Sequence, residues 1–348
     1  MRVSRRWMWV GLGTVIGMAM AVPIAGQTTR QLKRAAKLLE KIKLVDGAGS
    51  GLDADTLDGV DALGFATRLH GVVTVSQAGG DFTSVQDAID SITDASATNR
   101  YLVLLGPGIY AGRVTLKPGV TVRGSGIGVS TLSAGPASSC IDGYTVKGAT
   151  NATVTDLTIG NSGAGDCGVG LLNAGVGFAT YRRLLISTSQ GTNTVGVLND
   201  NSDIELIDVA MEVGQGTGPG DAIGIDQTNG SNLSMSNSSI LGCSSGNDVY
   251  GIQNDDSAAT IRDSAVNMFL CGGATGEAVG IRSINGSGDG VTVDRATVSG
   301  TTNSIATSAG YTTRVGASKV GGGAVSGAVT CVQVYDESYA LFDGPACP

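Results

Sequence analysis

Apolar and polar positions alternate in short runs along most of this chain, and like runs return at nearly equal intervals. "VGLLN", "VGVLN", "IGIDQ", "YGIQN" and "VGIRS" carry Gly170, Gly196, Gly224, Gly251 and Gly280, spaced 26, 28, 27 and 29 residues apart. Residues on either side of each glycine are apolar, as in Val169 and Leu171 or Tyr250 and Ile252. Positions two apart on a strand share a face, so the pattern predicts that each apolar pair points inward and each glycine outward. A second track reads "VTDLTI", "YRRLLI", "LIDVAM", "MSNSSI", "IRDSAV" and "VDRATV". Its third positions are Asp156, Arg183, Asp208, Asn237, Asp263 and Arg295, and no two neighbours carry the same charge. Two tracks with one period predict a solenoid with coils of roughly 27 residues, in which like positions stack about 4.8 Å apart. The alternating charges read as a structural ladder, since opposite charges on adjacent strands attract.

Before the repeats the pattern changes twice. Arg2, Arg5 and Arg6 precede an uncharged run from Trp7 to Thr29. This predicts a signal peptide over residues 1–26, or an N-terminal anchor if it is not cleaved. Leu32, Ala35, Leu39 and Ile42 then fall at heptad spacing, a short helical stem. Residues 27–71 are thus stem plus Gly/Asp-rich linker. In "GGDFTSVQDAIDSI", Thr83 and Gln86 stand at capping-box spacing, and Val85, Ala88, Ile89 and Ile92 form one stripe of a short helix. The solenoid is expected over residues 72–310. The tail "GAVTCVQVYDESYALFDGPACP" breaks the repeat, and residues 311–348 are expected to cap the last coil.

Composition agrees with this architecture. There are 55 glycines and only 4% aromatic residues, which suits many short strands and turns and not a helical bundle. Residues 1–45 carry +8, against −8 for the whole chain, so the remainder is strongly acidic. That argues against nucleic acid as a partner. A membrane contact is expected only through an uncleaved N-terminal segment. Six cysteines fit an oxidising compartment. Cys140 and Cys167 are 27 residues apart and Cys243 and Cys271 are 28 apart. One period places each pair on adjacent coils, leaving Cys331 and Cys347 to tie down the tail. With no CxxC and a single histidine, His70, neither a zinc site nor a Ser-His-Asp triad is expected. No cofactor and no metal are predicted.

The stretch "GDFTSVQDAID…GIYAGRVTLKPGVTVRGSG" resembles the start of pectin-methylesterase-like and pectin-lyase-like right-handed β-helices. The resemblance implies an all-β, right-handed parallel β-helix whose short helix plugs the N-terminal end. "VDGAGSGLDADTLDGVDALGF" is similar to a linker of phage tail fibres and bacterial surface proteins, which commonly joins a helical stem to a distal domain. A homotrimer is one assembly such a stem allows. The esterase family also uses Gln-Asp-Thr, Asp-Phe-Ile-Phe-Gly and Gly-Arg-Pro-Trp segments, and these are absent here.

Candidate chemistry therefore rests on acids. "QNDDSAAT" at Gln253–Thr260 is similar to the Gln-Asp-Asp-Cys block of polygalacturonases, but their Gly-His-Gly and Arg-Ile-Lys segments are missing. Inverting hydrolysis needs carboxylates on both sides of the bond. Asp200, Asp226, Asp255 and Asp256 are the candidates. A lyase would need Arg or Lys as base, and Arg182, Arg183, Arg262, Arg282 and Arg295 stand among the repeats. Trp7 and Trp9 are the only tryptophans, so sugar stacking would fall to tyrosines such as Tyr110, Tyr181 and Tyr250. The glycine row, if outward, would leave a bare strip for a second protomer or a glycan. The expected role is an exported cell-surface structural or adhesive module that contacts polysaccharide. The alternative is a polysaccharide-active hydrolase or lyase.

Overall fold

The computed structural model describes residues 69–214, 220–244, 247–272, 275–286, 288–344 and 347, plus two short strands before them. Within Met1–Ala66 the described elements are Thr56–Leu57 and Val60–Asp61, which pair antiparallel. The expected signal segment, the stem and most of the linker lie outside the described residues. No helix among the described residues is long and apolar enough to cross a membrane.

From Gly71 the chain winds as a right-handed parallel β-helix of about nine turns with coils of about 26 residues. Three parallel sheets run along it. Sheet A starts with Gly71–Val75, Tyr101–Leu105 and Val120–Arg123. It ends with Tyr311–Gly316 and Val329–Tyr335. Sheet B includes Ser130–Ala134, Ser239–Ser244 and Ala265–Leu270. Sheet C includes Cys167–Ala174, Asn193–Asp200, Ala222–Thr228, Val249–Asp255 and Ala278–Ile284.

Registers fix what stacks on what. In sheet A, Val122, Val154, Tyr181, Leu206, Met235, Ile261 and Val293 form one column, each almost wholly buried. Leu132, Ile159, Ile186, Met211 and Ile240 do the same in sheet B, and Leu171, Val197, Ile225, Ile252 and Ile281 in sheet C. Each coil alone leaves an apolar face bare, so stacking is what forms the core.

The N-terminal end is closed by the one described helix, Val85–Ser91, which buries Val85, Ala88 and Ile89 against the first strands. Its N-cap is Ser84, whose Oγ accepts from the Asp87 N–H, one residue later than the Thr83 and Gln86 spacing predicts. Gln86 instead pairs with the backbone of Thr115. Lys117 Nζ donates to the carbonyls of Asp90 and Ile92 at the other helix end. At the C-terminal end, parallel pairing runs through Lys319–Ser326 and Val329–Tyr335. The coils therefore continue beyond residue 310, where the sequence suggested that capping begins. The element that departs from the repeat is Leu341–Gly344, antiparallel to Val329–Tyr335.

Disulfides join Cys140 to Cys167, Cys243 to Cys271, and Cys331 to Cys347. The charged track also stacks, with an added reason for its place. Asp156, Arg183, Asp208, Asn237, Asp263 and Arg295 all have φ between 48° and 60°, forming the left-handed bend that turns sheet A into sheet B. Asn and Asp tolerate that region better than most residues. Arg183 donates to both carboxylate oxygens of Asp156 at 2.5 and 2.8 Å. Arg295 does the same to Asp263 at 2.8 and 2.9 Å.

The glycine row faces the opposite way from the expectation. A Cβ on Gly170 would meet Ile186, one on Gly224 would meet Ile240, and one on Gly251 would meet Val266, all interior side chains of sheet B. Pairing explains why. Val169 pairs with Val195 and Leu171 with Val197, while the glycines between are skipped. Alternation changes phase at the glycine, so only the second residue of each apolar pair enters the main core. Val169 belongs to a separate cluster with Cys167, Leu172 and Val195. No bare outer strip exists for a glycan or a second protomer at these glycines.

Candidate functional site

Two residues past each glycine, sheet C presents an outward row. Leu172, Leu198, Asp226, Gln253 and Arg282 stack in register. The row is apolar at its N-terminal end, where Leu172 and Leu198 pack with Val169, Val195 and Tyr144. It becomes polar from Asp226 onward. A parallel row starts one residue before the glycines and holds Ile223, Tyr250 and Val279. Phase change at the glycine takes both rows out of the main core cluster, but Tyr250 is still buried, 4% exposed, with the Arg282 guanidinium over its ring.

Asp226 is half-buried and accepts a hydrogen bond of 3.2 Å from Gln253 Nε2. Burial pushes its carboxyl above the usual carboxylate range. The Gln253 hydrogen bond opposes that shift, and the charges of Asp255 and Asp200 add to it. Tyr250 donates to Asp248 Oδ2 at 2.7 Å, and the Arg282 guanidinium lies 4.7 Å from its ring centroid. Burial first, and the Asp248 contact second, push the phenol well above its ordinary value. The site thus presents a carboxyl raised by burial, an amide and a guanidinium on adjacent coils, with the buried Tyr250 ring beneath the guanidinium.

The four acids singled out by sequence separate into two groups. Asp200 and Asp255 lie near enough to Asp226 for their charges to act on its carboxyl. Asp200 accepts from Thr228 Oγ1 at 3.1 Å and Asn229 Nδ2 at 2.6 Å. Asp256 is different. Its φ is 45°, and it occupies the left-handed bend between sheets C and A, as Asn201, Asn229 and Asn285 do in other coils. Its N–H donates to the Ile284 carbonyl. It is a turn residue and not part of the row.

Gln253, Arg282 and Asp248 join this site only in the structure; in the sequence Arg282 stands only among the arginines open to a lyase as base. The offset of two from each repeated glycine carried the signal for Gln253 and Arg282. Of the tyrosines considered for stacking, Tyr181 is fully buried with its hydroxyl on Asn173 Oδ1. Tyr110 is buried with its hydroxyl on the carbonyls of Val75 and Gly106. Neither reaches a surface. Among the described residues, no group of three or more His, Cys, Asp or Glu is arranged to hold a metal ion.

No protein-family profile matches the chain. No curated protein matches it in sequence. Solved structures do. A pectin methylesterase from carrot aligns with a TM-score of 0.50 and 16% identity, covering 77% of this chain and 83% of that one. A pectate lyase aligns at 0.45 and 13%, covering 80% and 81%. The A-module of a mannuronan C-5 epimerase from Azotobacter vinelandii aligns at 0.37 and 13%, covering 79% and 92%. Identity this low carries the fold and not the chemistry. The likeness shows the fold alone: the body of this chain is a right-handed parallel β-helix.

Proposed function

We propose that this chain is an exported β-helix that binds polysaccharide along the outer face of sheet C. The observation that carries the reading is the stacked row Asp226, Gln253 and Arg282 beside Tyr250. Donors and acceptors repeat there at the rung spacing of about 4.8 Å, which suits a linear ligand with repeating hydroxyl groups. The buried Tyr250 ring supports the Arg282 guanidinium from beneath and so helps to fix the polar row that a ligand would meet. The carrot protein with the same fold is a pectin methylesterase, which supports a polysaccharide as the ligand class. Three disulfides support export.

One observation favours a second reading, a hydrolase or lyase. Asp226 is held towards its protonated form next to Asp255 and Asp200. A carboxyl raised by burial, with a second carboxylate near it, is the kind of pair that acid–base work on a glycosidic bond uses. Asp226 would be the acid and Asp255 the base.

A panel of neutral and acidic polysaccharides tests both readings, scored for binding and for reducing ends, unsaturated uronates and methanol. Binding without turnover, weakened in Gln253→Ala and Arg282→Ala, supports the binding module. Turnover lost in Asp226→Asn replaces it with the enzyme. Binding that survives both the Gln253 and Arg282 changes would overturn the site.

A further inference from the structure

A groove of about 680 Å³ lies where sheet A bends into sheet B near the C-terminal end, remote in the coil from the sheet C row. It is lined by Asn237, Ser239, Asp263, Arg295, Thr297 and Tyr335, among others. Tyr335 is half-buried, and its ring lies parallel to Tyr339 at 5.4 Å between centroids, 8° from coplanar. Stacking fixes the orientation of that ring. Asn237 is exposed in the left-handed bend, with φ 48°. Its backbone N–H is taken by the Arg262 carbonyl, but its carboxamide has no hydrogen-bond partner among the described residues. The Ser239 and Thr297 hydroxyls are in the same condition. By contrast, the Ser238 and Ser264 hydroxyls are spent on the carbonyls of Ser236 and Arg262.

Charge decides what the groove accepts. Arg295 is the cation of its lining, and it is engaged twice by Asp263 and again by Asp294. An acidic ligand would meet those two carboxylates and an arginine already engaged by both; Lys319, next to the groove, has its Nζ over the Tyr339 ring, 5.8 Å from the centroid. A neutral polyol would meet a fixed aromatic ring, a carboxamide with donors and an acceptor, and two hydroxyls. We infer that this groove is a binding site for a neutral sugar, distinct from the sheet C face, with Tyr335 stacking on the ring and Asn237, Ser239 and Thr297 addressing its hydroxyls.

The test is calorimetric titration of the full chain with cellohexaose, a neutral glucose hexamer, and with hexagalacturonate, its acidic counterpart. Tyr335→Ala removes the ring. Asn237→Gly removes the carboxamide and keeps the positive φ, so loss of binding there is separable from loss of fold. Each is expected to weaken cellohexaose binding, Tyr335→Ala about tenfold. This outcome would stand even if the sheet C face bound nothing. The inference is overturned if wild-type protein does not bind cellohexaose, if both groove variants bind it as the wild type does, or if the groove variants weaken hexagalacturonate instead.

Discussion

Gln227 Nε2 donates a 3.0 Å hydrogen bond to Oδ1 of Asn254, the residue stacked on it one coil later. Both are fully buried. Asn199 Nδ2 donates to Gln227 Oε1 on the other side, and Asn254 Nδ2 donates to the Ser257 carbonyl. The solenoid thus carries a polar ladder inside its apolar core. Gln227→Leu removes the donor to Asn254 Oδ1 and leaves Asn199 Nδ2 with the Ser202 carbonyl alone, and a buried orphan costs about 1–3 kcal/mol. Urea unfolding of this variant should show a loss in that range or above. A neutral result would mean that the ladder is not formed.

The inward glycine row makes an opposite prediction from an outward one. Gly224→Ala would drive a methyl group against Ile240 and the Gly251 carbonyl. Overpacking of this kind costs about 1–3 kcal/mol. Thermal unfolding should report it, whereas an outward glycine would tolerate alanine with little change.

Asp256 should behave as a bend residue. Asp256→Gly keeps the left-handed conformation and should leave stability and polysaccharide binding near the wild-type values. Asp256→Ala should cost about 1 kcal/mol, because a Cβ is disfavoured at its φ of 45°. A large loss of binding in Asp256→Gly would return this residue to the site.

Two carboxylates should give pH dependence of opposite sign. Arg183 hydrogen bonds hold Asp156 below the usual carboxylate range, against the effect of burial. Its contribution to stability is present above the unfolded value, near 3.8, and is lost as pH falls through the lower folded value. The stability difference between wild type and Asp156→Asn should therefore shrink on acidification. Asp226 is raised by burial, so it penalises the folded state once pH exceeds the unfolded value. Asp226→Asn should gain stability relative to wild type as pH rises towards neutrality. Urea midpoints measured from pH 2 to 7 check both signs.

Much of this was legible in the chain. Equal spacing of Gly170, Gly196, Gly224, Gly251 and Gly280 set the coil length, because like residues must stack in a solenoid. Cysteines one period apart paired as that stacking requires. The facing of the glycines was not legible, since strict alternation assumes a strand without a phase change, and the skipped pairing at Gly170 and Gly196 appears only in the register. The charge ladder was visible in Asp156 and Arg183, but its backbone was not, because Arg gives no hint of a positive φ. At the site, Asp226 stood out by its charge alone. Gln253 and Arg282 needed the offset from the glycines, and the electrostatic company of Asp200 and Asp255 needed the stacking of alternate coils.

Binding by the outer face of sheet C is the central claim, and a binding isotherm tests it most directly. Wild-type protein and an Asp226→Asn, Gln253→Ala, Arg282→Ala triple variant would be titrated with the tightest-binding polysaccharide of the panel. Saturable binding by the wild type, weakened at least about tenfold in the triple variant with its unfolding transition retained, is the predicted result. Equal affinity in the two proteins would contradict the account.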